Sequence, residues 1–372
     1  MKETLALTAC AGMLILCFQN CTPGFVTKNS ESPTSIIAVG GESIIQTFSF
    51  NHAARSLKLI ETLQLTGQSP GWLAIDSVHS SLLSADSRSA KLTSYQFDTE
   101  TTLLGKPRLM SIPTPSVHFE MADFDGSTEL FTSDYTGSFS RLSLGELGSS
   151  TAINQTLVFA NNAQTHSSAL DAANNLVFVA NKGEGRIVIY KLELATLSEL
   201  DEISIPGPRL LKFDQVYKQL YVITEANSGS GEVASYQVIE KLGSVTVAKT
   251  GSFVIGQRGS ALAIDRNHGF LIATVRESGK EEIKMFPITS AGFADANRAS
   301  ASIGAPCIEA RSLEASSDGL FYFLTCNDSA NAEDLFVFEI HFDSENNFTA
   351  ANLVAKSEAG PGEHLSQTVF ER

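Results

Sequence analysis

Short apolar runs that end in a small or polar residue recur along the whole chain. They are Ser35-Ile-Ile-Ala-Val-Gly-Gly, Ser81-Leu-Leu-Ser-Ala-Asp, Glu129-Leu-Phe-Thr-Ser-Asp, Asn175-Leu-Val-Phe-Val-Ala-Asn, Gln219-Leu-Tyr-Val-Ile-Thr-Glu, Gly269-Phe-Leu-Ile-Ala-Thr-Val and Gly319-Leu-Phe-Tyr-Phe-Leu-Thr-Cys. After a turn comes a further β-like segment, such as Arg186-Ile-Val-Ile-Tyr-Lys-Leu. Counted from Gly41, Asp86, Asp134, Asn181, Glu225, Val275 and Cys326, the successive gaps are 45, 48, 47, 44, 50 and 51 residues. A period in this range marks propeller blades, with one four-stranded sheet per repeat. Seven copies predict an all-β, seven-bladed β-propeller.

Within a repeat the expected order is an innermost strand such as Gly71-Trp-Leu-Ala-Ile-Asp, a second such as Leu82 to Ala85, a third such as Leu92-Thr-Ser-Tyr-Gln-Phe, and an outer strand. Turns rich in Gly, Asp, Asn and Ser separate them, and no stretch sustains a helical period. The first blade starts at its second strand, Ile36 to Val39, and so lacks an innermost strand of its own. One strand is left over at the other end, His364-Leu-Ser-Gln-Thr-Val-Phe, preceded by a Gly-Pro-Gly turn. It is expected to close the first blade and hide two sheet edges. The propeller is thus assigned to residues 36–370, with no internal linker.

The leader has a different pattern. Lys2 precedes an apolar stretch from Leu5 to Phe18, the length of a signal-peptide core and short for a bilayer span. Gln19-Asn20-Cys21 follows. The expectation is a lipoprotein-type signal peptide over residues 1–20, with Cys21 as the lipidated mature N-terminus and residues 21–35 as a tether. An ordinary secretory signal is the alternative, and Leu7-Thr8-Ala9-Cys10 fits the lipoprotein pattern better but too early in the apolar run. The chain is assigned to a bacterial cell envelope, touching the membrane only through its lipid anchor, or, with an ordinary signal, to a secreted periplasmic protein. Beyond Cys21 the cysteines number two, Cys307 and Cys326. They form a candidate disulfide on neighbouring strands, or remain two buried thiols.

Composition narrows the functional classes. With 43% hydrophobic and 18% charged residues, 372 residues bury a large core. A formal net charge of -15 without a basic cluster excludes nucleic acid as a partner. No Gly-x-Ser-x-Gly elbow, P-loop or His-Glu-x-x-His is present. No set of inward carboxylates suggests a metal, no cofactor is implied, and a monomer is expected.

Four pairs of segments carry a resemblance. They are Val117-His118 with Ser133-Asp134-Tyr135, Thr165-His166-Ser167 with Val179-Ala180-Asn181, Gly207-Pro208-Arg209 with Tyr221-Val-Ile-Thr-Glu225, and Gly256-Gln-Arg258-Gly-Ser260 with Thr274-Val-Arg276. Over about residues 36–370 the chain resembles the seven-bladed lactonases, which include 6-phosphogluconolactonase and the fungal 3-carboxy-cis,cis-muconate cyclase. The resemblance implies a catalytic quartet of His166, Arg209, Glu225 and Arg276, with His118, Tyr135 and Arg258 as weaker substrate-binding candidates. The chain departs from the family at Leu210, Thr224, Val275 and Gln164-Thr165, all beside the quartet.

The quartet suits lactone opening or formation, in which a proton moves near the ring oxygen and an anionic oxygen develops. His166 and Glu225 are expected to share the proton roles. Arg209 and Arg276 are expected to hold a carboxylate or phosphate and the oxyanion. Structural alternatives exist for each: His166 locking adjacent turns, Arg209 on a surface turn, Glu225 and Arg276 pairing with each other. Two functions remain at this level, a lactonase acting on a small anionic substrate, and a non-catalytic envelope propeller that binds a protein or glycan. Convergence of the four side chains distinguishes them.

Overall fold

The structure, a computed structural model, describes residues 33–371 apart from residues 77–79, 99–102, 125–126, 146–149, 161, 195, 226–229, 242–243, 277–280, 294–299, 328–334 and 358–363. The expected signal peptide, Cys21 and nearly all of the expected tether lie outside the described residues. The described strands form seven antiparallel sheets. Six follow sequence order from the innermost strand outward. Their innermost strands are Pro70–Asp76, His118–Phe124, Thr165–Asp171, Pro208–Asp214, Gly259–Asp265 and Ala310–Ala315.

The remaining sheet closes the ring. Its innermost strand is His364–Glu371, which pairs with Thr34–Gly41 in the register Ile36↔Phe370, Ile37↔Val369 and Val39↔Gln367. The expected closure by the C-terminal strand is therefore what the fold uses. The sheet begins two residues earlier than expected, at Thr34, and Ser35 is buried with its Oγ 2.7 Å from His52 Nε2.

Burial explains why the second strands are so legible. Leu176–Asn181, Gln219–Thr224, Phe270–Val275 and Phe321–Cys326 are buried at every position. Both of their faces pack on neighbouring blades, so they read as continuous apolar runs rather than alternating ones. Outer strands such as Thr151–Val158 have one exposed face and alternate. The core is divided into seven clusters, one between each pair of adjacent blades. The cluster joining last to first packs Phe321, Phe323, Leu335 and Val337 against Ile37, Val39, Phe48 and Phe50. The abundant turn carboxylates cap backbone N–H groups: Asp86 Oδ1 accepts from Arg88 and Ser89, and Asp214 Oδ1 from Val216 and Tyr217.

Cys307 and Cys326 are joined in a disulfide. Cys307 sits in the bend just before the innermost strand Ala310–Ala315, not on a strand as expected, while Cys326 ends the second strand. The bridge thus staples the bend over residues 306–309 to the edge of the seventh blade.

Candidate active site

In each blade one edge brings together the start of the innermost strand and the end of the second. Pairs such as Thr165↔Asn181, Pro208↔Thr224, Gly259↔Val275 and Ala310↔Cys326 mark it. Six of the seven blades carry a register shift at this edge, between these two strands. The extra residue is His166 in the fourth blade, Arg209 in the fifth and Arg311 in the seventh. A bulge re-aims the side chain it carries, and here it turns three chemistry-bearing residues to one edge. Gly207 makes the approach to Arg209 possible: its φ is +58°, and a Cβ would lie 2.4 Å from Glu225 O. Glu225 N–H in turn donates to Gly207 O at 2.8 Å.

Glu225 is the hub. Lys182 Nζ donates to its Oε2 at 2.7 Å, Arg209 Nη1 donates to the same oxygen, and Arg276 Nη2 donates to Oε1 at 3.0 Å. Arg258 Nε lies 3.6 Å from Oε1, and its Nη2 donates to Glu309 Oε1 at 3.3 Å. Arg311 Nη2 reaches Glu309 Oε2 at 2.5 Å, and Glu281 Oε1 accepts the Glu309 N–H at 3.2 Å. Five cations therefore face three carboxylates, a local positive excess in a chain of net charge -15. Burial alone would raise the Glu225 pKa. The Arg209, Lys182 and Arg276 charges outweigh it and hold the carboxyl well below its usual range. Burial, then the Arg209 and Arg311 charges, lowers the Arg276 pKa to about 9 against the pull of Glu225, leaving it protonated at neutral pH.

His166 stands beside this cluster, close enough that Arg209, Lys182 and Glu225 all act on it. Burial first, and then the Arg209 and Lys182 charges, depress its pKa well below the normal value, so the imidazole is neutral. A 2.8 Å hydrogen bond joins its Nε2 to Tyr135 Oη, and the two rings meet edge to face. Several buried polar atoms here have no partner: His166 Nδ1, Arg209 Nε, Arg276 Nε and Nη1, and Arg311 Nε. Buried N–H groups are normally satisfied, so a set of orphan guanidinium donors at one edge suits an anion.

Arg209, Glu225 and Arg276 are thus in direct contact, His166 and Tyr135 are adjacent, and Arg258 forms the outer layer. Held by three cations, the Glu225 carboxylate is a weak base and a strong counter-ion. His118 has a different setting. Its blade is the one without the register shift, with His118↔Ser133 and Phe119↔Thr132 in unbroken register. Its side chain is not re-aimed. It is 1% exposed, packs 4.3 Å from the Trp72 ring, and accepts the Ser168 N–H through Nδ1 at 3.4 Å. Burial, and then Lys212, lower its pKa to about 3.

That shift has a measurable consequence. Unfolded, His118 titrates near 6.5; folded, it stays neutral down to about pH 3. Between these values the unfolded chain holds the extra proton, so its contribution is complete above about pH 6.5 and is lost as pH falls toward 3. His118→Gln is expected to reduce the stability lost between pH 7 and pH 4 by roughly 3 kcal/mol, at about 1.4 kcal/mol per pKa unit. Denaturant unfolding at the two pH values reads this directly. Equal losses in both proteins would contradict it.

Sequence reasoning missed Lys182, Glu281, Glu309 and Arg311. Lys182 follows Asn181 just past a second strand, the place Glu225 and Arg276 hold in their blades, and Arg311 occupies the same bulge place as Arg209. Repeat register was the available signal. Deeper in the ring, Lys212 Nζ lies 3.9 Å from Glu314 Oε1 and acts also on Glu120. Burial pushes the Glu120 pKa up to about 7. These three side chains are partly exposed and stand on innermost strands of three different blades. An open cleft of about 530 Å³ lies at the opposite edge, between the third and fourth blades, lined by Phe124, Asn175, Leu192 and Leu194 among others. It gathers no comparable set of charges. Among the described residues no group of three or more His, Cys, Asp or Glu side chains is placed to hold a metal ion. No helix among them is long and apolar enough to cross a membrane.

A seven-bladed ring with a polar, cationic edge is the class this geometry defines. The chain belongs to the lactonase, seven-bladed β-propeller family, whose model matches residues 32–346. No curated protein sequence matches it. Among solved structures it is similar to a candidate 6-phosphogluconolactonase from Bacteroides fragilis NCTC 9343, with TM-score 0.75 and 14% identity over 92% of this chain and 99% of that one. It is also similar to the periplasmic gluconolactonase of Pseudomonas aeruginosa, with TM-score 0.72 and 17% identity over 90% and 99%. A protein from Lactobacillus plantarum follows, with TM-score 0.71 and 15% identity over 91% and 99%. At these identities the likeness concerns the fold.

Proposed function

We propose that this lactonase-family propeller hydrolyses a small lactone bearing a carboxylate or phosphate, or closes the corresponding unsaturated acid. The observation that carries this reading is the convergence of Lys182, Arg209 and Arg276 on Glu225, with guanidinium N–H groups left unmatched. A scaffold has no need to gather unmatched guanidinium donors around one carboxylate.

In the proposed reaction water attacks the lactone carbonyl and the acyl C–O bond to the ring oxygen breaks. The neutral His166 imidazole takes the proton from water, and the departing ring oxygen recovers one. Burial makes His166 a weak base, so most of the acceleration comes from fixed positive charge facing the developing oxyanion. Glu225 keeps the cations in place between turnovers. The outer pair Arg258–Glu309 is weak, since the Arg258 side chain is 46% exposed. The substrate's anionic group would take the place of the Glu309 carboxylate on the guanidinium groups beneath.

A lactone screen on the purified domain tests this, with each acid-bearing lactone set beside its neutral counterpart. Loss of one charge-assisted contact, about 1.5–3 kcal/mol, makes the neutral compound about 10- to 150-fold poorer in kcat/KM. His166→Asn is expected to lower kcat by about two to four decades. Absence of turnover on every compound would defeat the enzyme reading and leave a propeller that binds an envelope protein or glycan.

We also propose that the protein is exported and tethered through Cys21. The apolar leader ending at that cysteine supports this, and so does the Cys307–Cys326 disulfide, since such bonds persist in oxidising compartments. Expressed in a bacterial host, the protein should incorporate labelled fatty acid, and Cys21→Ser should abolish incorporation. A labelled Cys21→Ser protein would refute the anchor.

A further inference from the structure

Trp72 is the only tryptophan in the chain, and its surroundings connect it to the site. It follows Gly71, the extra residue of the second blade's register shift, in the same relation as Leu210 has to Arg209. Gly71 is required there. A Cβ on it would lie 2.6 Å from Ser87 Cβ and 3.0 Å from Ser116 O. The indole packs against two separate cores, the one between the second and third blades and the one between the fifth and sixth. Those cores lie on different sides of the ring, so the side chain reaches across the central channel. In the second of them, Leu210 and Leu262 are the buried members from innermost strands, and Leu210 adjoins Arg209. On its own side the indole lies 4.3 Å from the His118 ring. His118 Nδ1 in turn accepts the N–H of Ser168 at 3.4 Å, two residues along the strand that begins with Thr165 and His166.

The indole is partly exposed, and among the described residues no hydrogen bond joins its N–H to another side chain or backbone group. Tryptophan N–H groups enclosed by protein usually find a partner, so this donor faces open space in the channel. Two residues further from the edge on the His118 strand stands Glu120, which belongs to the deeper charged set with Lys212 and Glu314. Trp72 thus lies at the boundary between the cationic edge and the channel beneath.

We propose that Trp72 is a substrate-contacting, specificity-determining residue that floors the site. Its ring packs against the uncharged ring portion of the substrate and its N–H donates to a neutral oxygen there. The cations hold the acidic end, and Trp72 reads the other. This inference rests on the proposed lactonase site.

Because Trp72 is unique, its emission reports on the site without a label. The probes are 6-phosphogluconate and glucarate, with inorganic phosphate as an anion that lacks the carbon skeleton. Either acid should change the emission saturably, with a midpoint equal to the dissociation constant from calorimetry. Inorganic phosphate should bind with no such change. Trp72→Phe keeps the packing and removes the donor. It should weaken binding of the acid by about 2- to 13-fold, the range for one neutral hydrogen bond, and leave phosphate affinity unchanged. Thermal unfolding verifies that the variant is folded, and the emission titration does not depend on it. Calorimetric binding with unaltered emission, or equal affinities in Trp72→Phe and the wild type, overturns the role of Trp72 alone. Absence of binding by both probes overturns the lactonase site and this inference with it.

Discussion

Arg276→Gln is expected to lower kcat on an acid-bearing lactone by about 10²- to 10³-fold, the usual loss when one oxyanion donor is removed. Arg276 has two donors, Nε and Nη1, with no partner in the protein, while Nη2 is committed to Glu225. Both unused donors are enclosed by protein, so substrate reaches them only once the side chains over them shift. Arg276→Lys separates charge from geometry: a point charge on a flexible stem replaces the planar fork, so it should recover only part of the rate. The side chain is 1% exposed, and stability must be followed alongside. Glu225 retains Lys182 and Arg209 in the variant, so the remaining carboxylate is still paired. Measured separately, kcat should fall more than KM rises. A glutamine variant with kcat within about threefold of wild type would show that the guanidinium does not face the reacting oxygen.

The fold was legible because its second strands are buried on both faces. Leu220, Tyr221, Val222 and Ile223 have no exposed face to alternate with, so their run stands out against polar turns at a regular interval. Ring closure was legible for a related reason: His364 to Phe370 was a strand without a blade, and Ile36 to Val39 a blade without an innermost strand. The site was only partly legible. Arg209, Glu225 and Arg276 were found through a family resemblance and are now seen to touch. His118 came from the same resemblance, as a weaker candidate beside His166. What distinguishes the two is one extra backbone residue in the register, which turns His166 to the edge and leaves His118 in the core. No side-chain pattern encodes that difference. Lys182 and Arg311 were overlooked for the opposite reason. Charged residues are common in propeller turns, and their value comes from lying in register with Glu225 and Arg209 in neighbouring blades.

Removing residues 364–372 should abolish the cooperative fold, a loss on the scale of a whole domain's stability, about 5–15 kcal/mol. The described end of that segment is the innermost strand of the first blade, paired along Thr34–Gly41 from Ser35↔Glu371 to Gly41↔His364. Without it, the backbone of Ile36, Ile37, Ala38 and Val39 loses its inner partner, and an apolar edge opens that invites pairing with another chain. The damage spreads beyond that blade. Gln367 Nε2 donates to Phe323 O in the seventh blade at 2.5 Å, and Val369 packs on the cluster that joins the last blade to the first. A ring held by seven interblade contacts becomes an open arc when one fails, and each remaining blade then depends on neighbours that can splay apart. The truncated chain should therefore aggregate, or unfold without a sharp transition in denaturant. A circular permutant that carries residues 364–372 directly before Thr34 restores the strand through a new connection and should fold. The two chains compared by size-exclusion chromatography and denaturant unfolding settle the point. A truncated chain that stays monomeric and unfolds at the wild-type midpoint would mean that the ring does not depend on its C-terminal strand.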